Sequence, residues 1–142
     1  FHFYDFEETT EIKDHGEEHP YILTTSRNLE HYNAGTMTRR TDNGKIVDED
    51  VLLINVDDAK MKGISDDDIV RLYSARAEIN LKAELSNKVA KGVLFTTFHF
   101  PELMINKVTG QVFDQDTKCP EYKVVSCKIR KSKGKFKQLA EV

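Results

Sequence analysis

Between Ser26 and Thr41 the chain carries Arg27, Arg39, Arg40, His31, Asn28, Asn33 and Gly35 among several hydroxyls, against a single acid, Glu30. Guanidinium forks, hydroxyls and the backbone N–H groups of a glycine turn are donors suited to an anion, phosphate above all. A second polar stretch, His99-Phe100-Pro101-Glu102 with Asn106 following, adds imidazole and amide groups that suit the edge of a polar heterocycle. Each stretch follows an apolar run that reads as a strand. If those strands lie side by side, the two loops share one rim. Composition alone leaves a binding site and an ordinary surface loop both open.

Other chemistries find little support. Ser26, His31 and Asp42 make a triad on paper only, because nothing around them resembles a nucleophile elbow. His2, His15, His19, His31 and His99 are scattered, and Cys119 and Cys127 lack CxxC spacing, which argues against a zinc or iron–sulfur site. No GxGxxG and no Walker loop is present. The net charge of −3 argues against a general nucleic-acid or anionic-membrane binder. Asp5 to Glu18 carries seven acids, and Ser126 to Lys137 six bases, both expected to be solvated ends. The longest apolar run, Val51–Ile54, is far short of the roughly 20 residues that a membrane helix needs. FHFYDFEETTE has neither the basic nor the apolar region of a signal peptide, and it lacks an initiator Met, as a fragment or a processed chain would. Inert, reduced thiols and a cytoplasmic location are the expectation.

The elements that must position the two loops are short. Phe1 to Phe6 and Tyr21 to Ser26 read as strands, with an acidic connector over Glu7 to Pro20. Asp42-Asn43-Gly44 is a turn signal and Val51–Ile54 a buried strand. Asn55 caps a helix that has acids in its first turn and stops at Gly63. Ile69 to Ser74 and Ala77 to Leu85 are strands, the second with period-2 alternation. Val93 to Phe98 is another. Glu102 to Asn106 makes one or two helical turns, Asp114 to Glu121 is loop, and Tyr122 to Ile129 is the last strand. Seven or so short strands with two short helices predict a mainly β domain, a barrel or closed β-rich unit.

Four blocks in order carry a resemblance. YILTTSRNLEHYNAGTMTRR resembles the start of the C-terminal cofactor domain of the molybdenum- or tungsten-dependent bis-molybdopterin guanine dinucleotide oxidoreductases, more narrowly of formate dehydrogenase catalytic subunits. LLINVDDAKMKGISDDDIVRLYSARAEINLKAEL resembles that family's strand, capped helix and hairpin. GVLFTTFHFPELMINKVT resembles its second cofactor loop, and DTKCPEYKVVSCKI its closing segment. FHFYDFEE resembles the strand that precedes the domain in longer members. Val56 stands where proline is common, and Ala75-Arg76-Ala77 where a basic-Gly turn is common, so that hairpin can differ in shape.

The resemblance implies a six-stranded double-psi β-barrel (aspartate decarboxylase-like) over residues 20–130, after an N-terminal strand and connector (1–19) and before a basic tail (131–142). It implies that Arg27 and His31 lie near the pterin and its phosphate, that Asn33 touches the cofactor, and that Gly35, Thr36 and Met37 form the turn approaching the dinucleotide. Phe98 and His99 would be second-loop contacts. Asn106 would bond the nucleotide, and Tyr122 and Lys123 would reach it from the last strand. Phe98 and Tyr122 could instead be core aromatics, and His31 a loop-capping histidine. Arg39 and Arg40 are expected as surface or interdomain charges. The implied cofactor is molybdopterin guanine dinucleotide, with the metal and any iron–sulfur cluster held by other parts of a parent enzyme. The implied partners are the remaining domains of that catalytic subunit and an iron–sulfur electron-transfer subunit, with no nucleic acid and no membrane contact. The implied reaction is oxidation of formate to CO2, and this domain alone would have no activity. A related enzyme (a nitrate reductase or formylmethanofuran dehydrogenase component) and a free-standing barrel adaptor stay open.

Overall fold

The computed structural model describes residues 8–114 and 116–132. The strand expected over Phe1 to Phe6 and most of the basic tail lie outside the described residues. Six strands close a barrel in the order β1-β5-β2-β4-β3-β6: β1 Tyr21–Ser26, β2 Val51–Ile54, β3 Ile69–Ser74, β4 Glu78–Leu85, β5 Val93–Thr97 and β6 Val125–Lys131. Two pairs, β1/β5 and β2/β4, are parallel and the rest antiparallel. This is the closed, mainly β architecture expected from the sequence.

Alternation builds the core. Along β1, Tyr21, Leu23 and Thr25 point inward, and along β3 it is Val70, Leu72 and Ser74. Leu52, Ile54, Leu81, Leu94 and Val125 complete a fully enclosed interior. Each such leucine, removed from water, contributes about 2 kcal/mol. Between β2 and β3 the helix α3, Val56–Lys62, follows the expected pattern: Asn55 accepts from Asp57 N–H at 2.9 Å, and Gly63 ends the helix at φ 63°.

Three local differences from expectation stand out. The acidic connector contains a helix, α1 (Thr10–His15), capped by Thr9. Its Glu11 is not solvated but 2% exposed, in a two-pronged pair with Arg76 (3.0 and 2.7 Å) and accepting from Ser126 N–H at 3.0 Å. An acid enters a core when a guanidinium fork and a strand N–H satisfy its oxygens, and the nearest of those partners in sequence is 65 residues away. Where a turn was expected, Asn43-Gly44 opens a short helix, α2 (Asn43–Ile46), with the Asn43 side chain donating to Glu30 O at 2.7 Å. β6 begins at Val125, which leaves Tyr122 and Lys123 in the preceding loop.

Candidate functional site

The site begins with a register. β1 and β5 run parallel with Ser26 opposite Thr97, so the chain leaves both strands at the same end of the barrel. Phe98 is thereby the first residue of one loop and Arg27 of the other. The Arg27 guanidinium lies 5.6 Å from the Phe98 ring centre and donates to Asn33 Oδ1 at 3.4 Å.

The two loops are fastened to each other from below. His99 is fully buried, and its Nε2 accepts the Asn28 N–H at 2.9 Å. Nε2 therefore carries no proton, and Nδ1–H donates to Asn33 O. Asn33 sits at φ 49° and Gly35 at φ 67°. A Cβ at Gly35 would lie 2.7 Å from His99 O and 2.8 Å from Arg39 Cδ, so glycine is what lets the loops touch. His31 is buried too. Its Nε2 donates to Val47 O at 2.7 Å, so Nδ1 accepts from the Thr38 hydroxyl at 3.0 Å. That hydroxyl in turn accepts the Tyr32 N–H. Both histidines spend their ring nitrogens on the chain, the loop-capping arrangement left open for His31.

Asp50, just before β2 and 1% exposed, anchors the second loop. Its carboxylate accepts from the Thr97 hydroxyl, from His99 N–H at 3.2 Å and from Phe100 N–H at 3.0 Å. Arg39 closes the rim above. It forks onto Glu102 at 3.1 and 2.8 Å and lies 4.7 Å from the centre of the Phe100 ring. The hydrogen bond from Arg39 holds the Glu102 carboxyl below its ordinary range.

Two cavities open on this rim. The larger, about 470 Å³, is lined by Arg27 and Lys123 with the hydroxyls of Thr25, Ser26 and Thr109, and by the Tyr122 and Phe98 rings. Lys123 Nζ donates to Thr25 O, and the Thr25 hydroxyl to Tyr122 O at 3.1 Å, which fastens the approach to β6 against the end of β1. The smaller, about 360 Å³, is mostly apolar: Phe98, Phe100, Met104 and Ile105, with Asn33 and Asn106 at its edge. Phe98 and Asn106 line both, so the two cavities adjoin; together they make a trough whose charged groups and hydroxyls gather at one end and whose other end is mostly apolar.

Of the residues singled out in the sequence, Arg27, Asn33, Phe98, Asn106, Tyr122 and Lys123 line the trough. His31, His99 and Gly35 lie behind it, where they shape its walls. Thr36 and Met37 are exposed at the loop tip. Sequence reasoning missed Thr25, Thr109 and Asp50; Arg39 is exposed, as expected, and is paired there with Glu102. Thr25 and Ser26 carried a faint signal as hydroxyls at the end of a strand, directly before Arg27. Asp50 carried none, since its acceptor role depends on residues 47 to 50 positions away.

A family model, "Molydopterin dinucleotide binding domain", matches residues 21–126. The chain is 43% identical over 116 residues to F420-dependent formate dehydrogenase 2 subunit alpha of Methanococcus maripaludis, covering 81% of this chain and 17% of that protein. It is 41% identical over 128 residues to F420-dependent formate dehydrogenase subunit alpha of Methanocaldococcus jannaschii, covering 89% of this chain and 19% of that one. It thus spans less than a fifth of the length of these relatives. Among solved structures, acetylene hydratase from Pelobacter acetylenicus shares the fold, with a TM-score of 0.75 at 15% identity, covering 92% of this chain and 21% of that one.

Proposed function

This chain belongs to the molydopterin dinucleotide binding domain family, and from that premise we propose that the trough grips the organic frame of a molybdopterin guanine dinucleotide within a formate dehydrogenase catalytic subunit. The observation that carries the reading is the division of the trough. The diphosphate takes the polar end, where Arg27 and Lys123 supply charge and Thr25, Ser26 and Thr109 supply hydroxyls. A flat ring takes the apolar end against Phe98 and Phe100, with the amides of Asn33 and Asn106 at its edge. Tyr122 flanks the polar end. Thr36 and Met37, at the loop tip, face whatever covers the trough. His31, His99 and Gly35 hold the loops in the shape the ligand needs.

The cofactor, through its molybdenum or tungsten, supplies the two-electron chemistry that converts formate to carbon dioxide. This chain binds, orients and shields. Among the described residues no group of three or more His, Cys, Asp and Glu could hold a metal ion. The relatives carry the matching stretch inside much longer chains, which favours a domain of a catalytic subunit over a free-standing adaptor. Remaining domains of that subunit are the expected neighbours, and an iron–sulfur electron-transfer subunit the expected electron partner. No helix among the described residues is long and apolar enough to cross a membrane. The free thiols of Cys119 and Cys127 favour a reducing compartment, the cytoplasm.

Full-length protein carrying Arg27→Ala or Lys123→Ala tests the reading by its content of pterin dinucleotide per polypeptide, measured by chromatography after denaturation. Each variant is expected to lose most of the cofactor while keeping its fold by circular dichroism. Wild-type content in both variants would refute it.

A further inference from the structure

We propose that Arg39 and Glu102 form a latch that sets the gap between the two loop walls of the apolar cavity, which makes Arg39 a positioning residue for the flat ring held there. This rests on the reading of the trough as a dinucleotide site. One wall is Asn33 and Ala34, the other Phe100 and Pro101. Arg39 touches both sides. Its N–H donates to Gly35 O at 2.9 Å, and its aliphatic stem lies over Gly35, next to Ala34. Its guanidinium lies over the Phe100 face and forks onto Glu102, next to Pro101.

Each end of the latch is stiff. Arg39 belongs to the 3₁₀ turn Thr38–Arg40, and Glu102 to the 3₁₀ turn Pro101–Leu103, whose Met104 N–H closes onto Pro101 O at 3.0 Å. The partners are 63 residues apart in sequence, so the pair ties two segments that no strand pairing joins at this point. The contact also has an orientation. A planar fork on a carboxylate, with the same plane presented to an aromatic ring, fixes angle as well as distance, and lysine cannot reproduce it. Lys45 and Asp42 differ: that ion pair is 80% and 88% exposed and joins residues one turn apart.

The test uses full-length, cofactor-loaded protein. It reads the first-order rate at which pterin dinucleotide leaves the protein, alongside the melting temperature. Arg39→Lys and Glu102→Gln are each expected to speed release by about threefold, with the double variant no faster than either alone, because both remove one shared contact. Lys45→Ala is expected to release at the wild-type rate. Wild-type release in both latch variants, multiplied effects in the double variant, or release that merely follows a falling melting temperature would overturn the latch. Arg27→Ala separates the two layers. If it speeds release while the latch variants do not, only the latch fails. If it too releases at the wild-type rate, the reading of the trough fails with it.

Discussion

Asp50 accepts the backbone N–H of His99 at 3.2 Å, and through that bond a carboxylate at the start of β2 sets where the loop after β5 begins. His99 passes the constraint on, since its ring is held between Asn28 N–H and Asn33 O in the other loop. One buried acid thus orders both walls of the trough. Asp50→Ala leaves three donors without an acceptor and is expected to destabilise the fold by about 2–4 kcal/mol in urea unfolding. Asp50→Asn keeps one acceptor oxygen and should cost less. Equal stability of Asp50→Ala and wild type would remove the anchor from the account.

Gly35 and Gly92 make a paired prediction. Both have positive φ, 67° and 77°, but a Cβ at Gly92 meets open space whereas one at Gly35 meets His99 O. Gly92→Ala should cost only the left-handed backbone penalty, about 1 kcal/mol, and leave cofactor content unchanged. Gly35→Ala should cost more and also spread the loops, which lowers cofactor content of the full-length protein. Unfolding curves and chromatography of bound pterin separate the two effects. Identical behaviour of the two variants would contradict the close approach.

The Glu11–Arg76 pair couples α1 to the β3–β4 hairpin and, through Ser126, to β6. Arg76→Ala leaves Glu11 buried and uncompensated and is expected to cost about 3–5 kcal/mol, whereas Glu11→Ala leaves Arg76, which keeps partial contact with water, and should cost less. The double variant should cost less than the sum of the two. Denaturant titration of all three proteins checks this, and simple additivity would mean that the contact is not shared.

For Glu102 the sign with pH is fixed. Its carboxyl is depressed chiefly by the hydrogen bond from Arg39, so the contribution is present above the unfolded-state value and is lost as pH falls through the folded-state value. The pair is partly exposed, 33% and 48%, so the effect stays under about 1 kcal/mol and shrinks with salt. Wild type and Glu102→Gln should differ in stability at neutral pH and converge in acid. A difference that persists unchanged into acid would point to something other than this charge.

Burial pushes the Cys127 thiol up to about 12, and its S–H donates to Tyr21 O at 3.4 Å. Cys119 is exposed. Iodoacetamide at roughly pH 8 should therefore label Cys119 and spare Cys127 in the folded protein, as read by peptide mass spectrometry. Rapid labelling of both would contradict the placement of β6.

Much of the frame was legible because it rests on local rules. Alternation marked β4, apolar runs marked β1 and β2, and Asn55 and Gly63 bounded α3. The trough was partly legible: Arg27, Phe98, Asn106 and Lys123 stand in ordered blocks that resemble a known cofactor domain. What stayed hidden depends on long-range pairing. Glu11 reads as one more acid in an acidic run until Arg76 comes to meet it; Arg39 is the surface charge expected, but its partners Glu102 and Phe100 come from a distant segment. His31 and His99 carry the look of ligand contacts, yet the fold engages both rings fully with the chain.

Whether the trough holds the dinucleotide is decided by a structure of the full-length, cofactor-loaded protein at a resolution that shows the ligand. A diphosphate is expected within hydrogen-bonding distance of Arg27 and Lys123, and a flat ring against Phe98 with its edge toward Asn106. A dinucleotide whose phosphates and rings all lie away from these four side chains would contradict that placement.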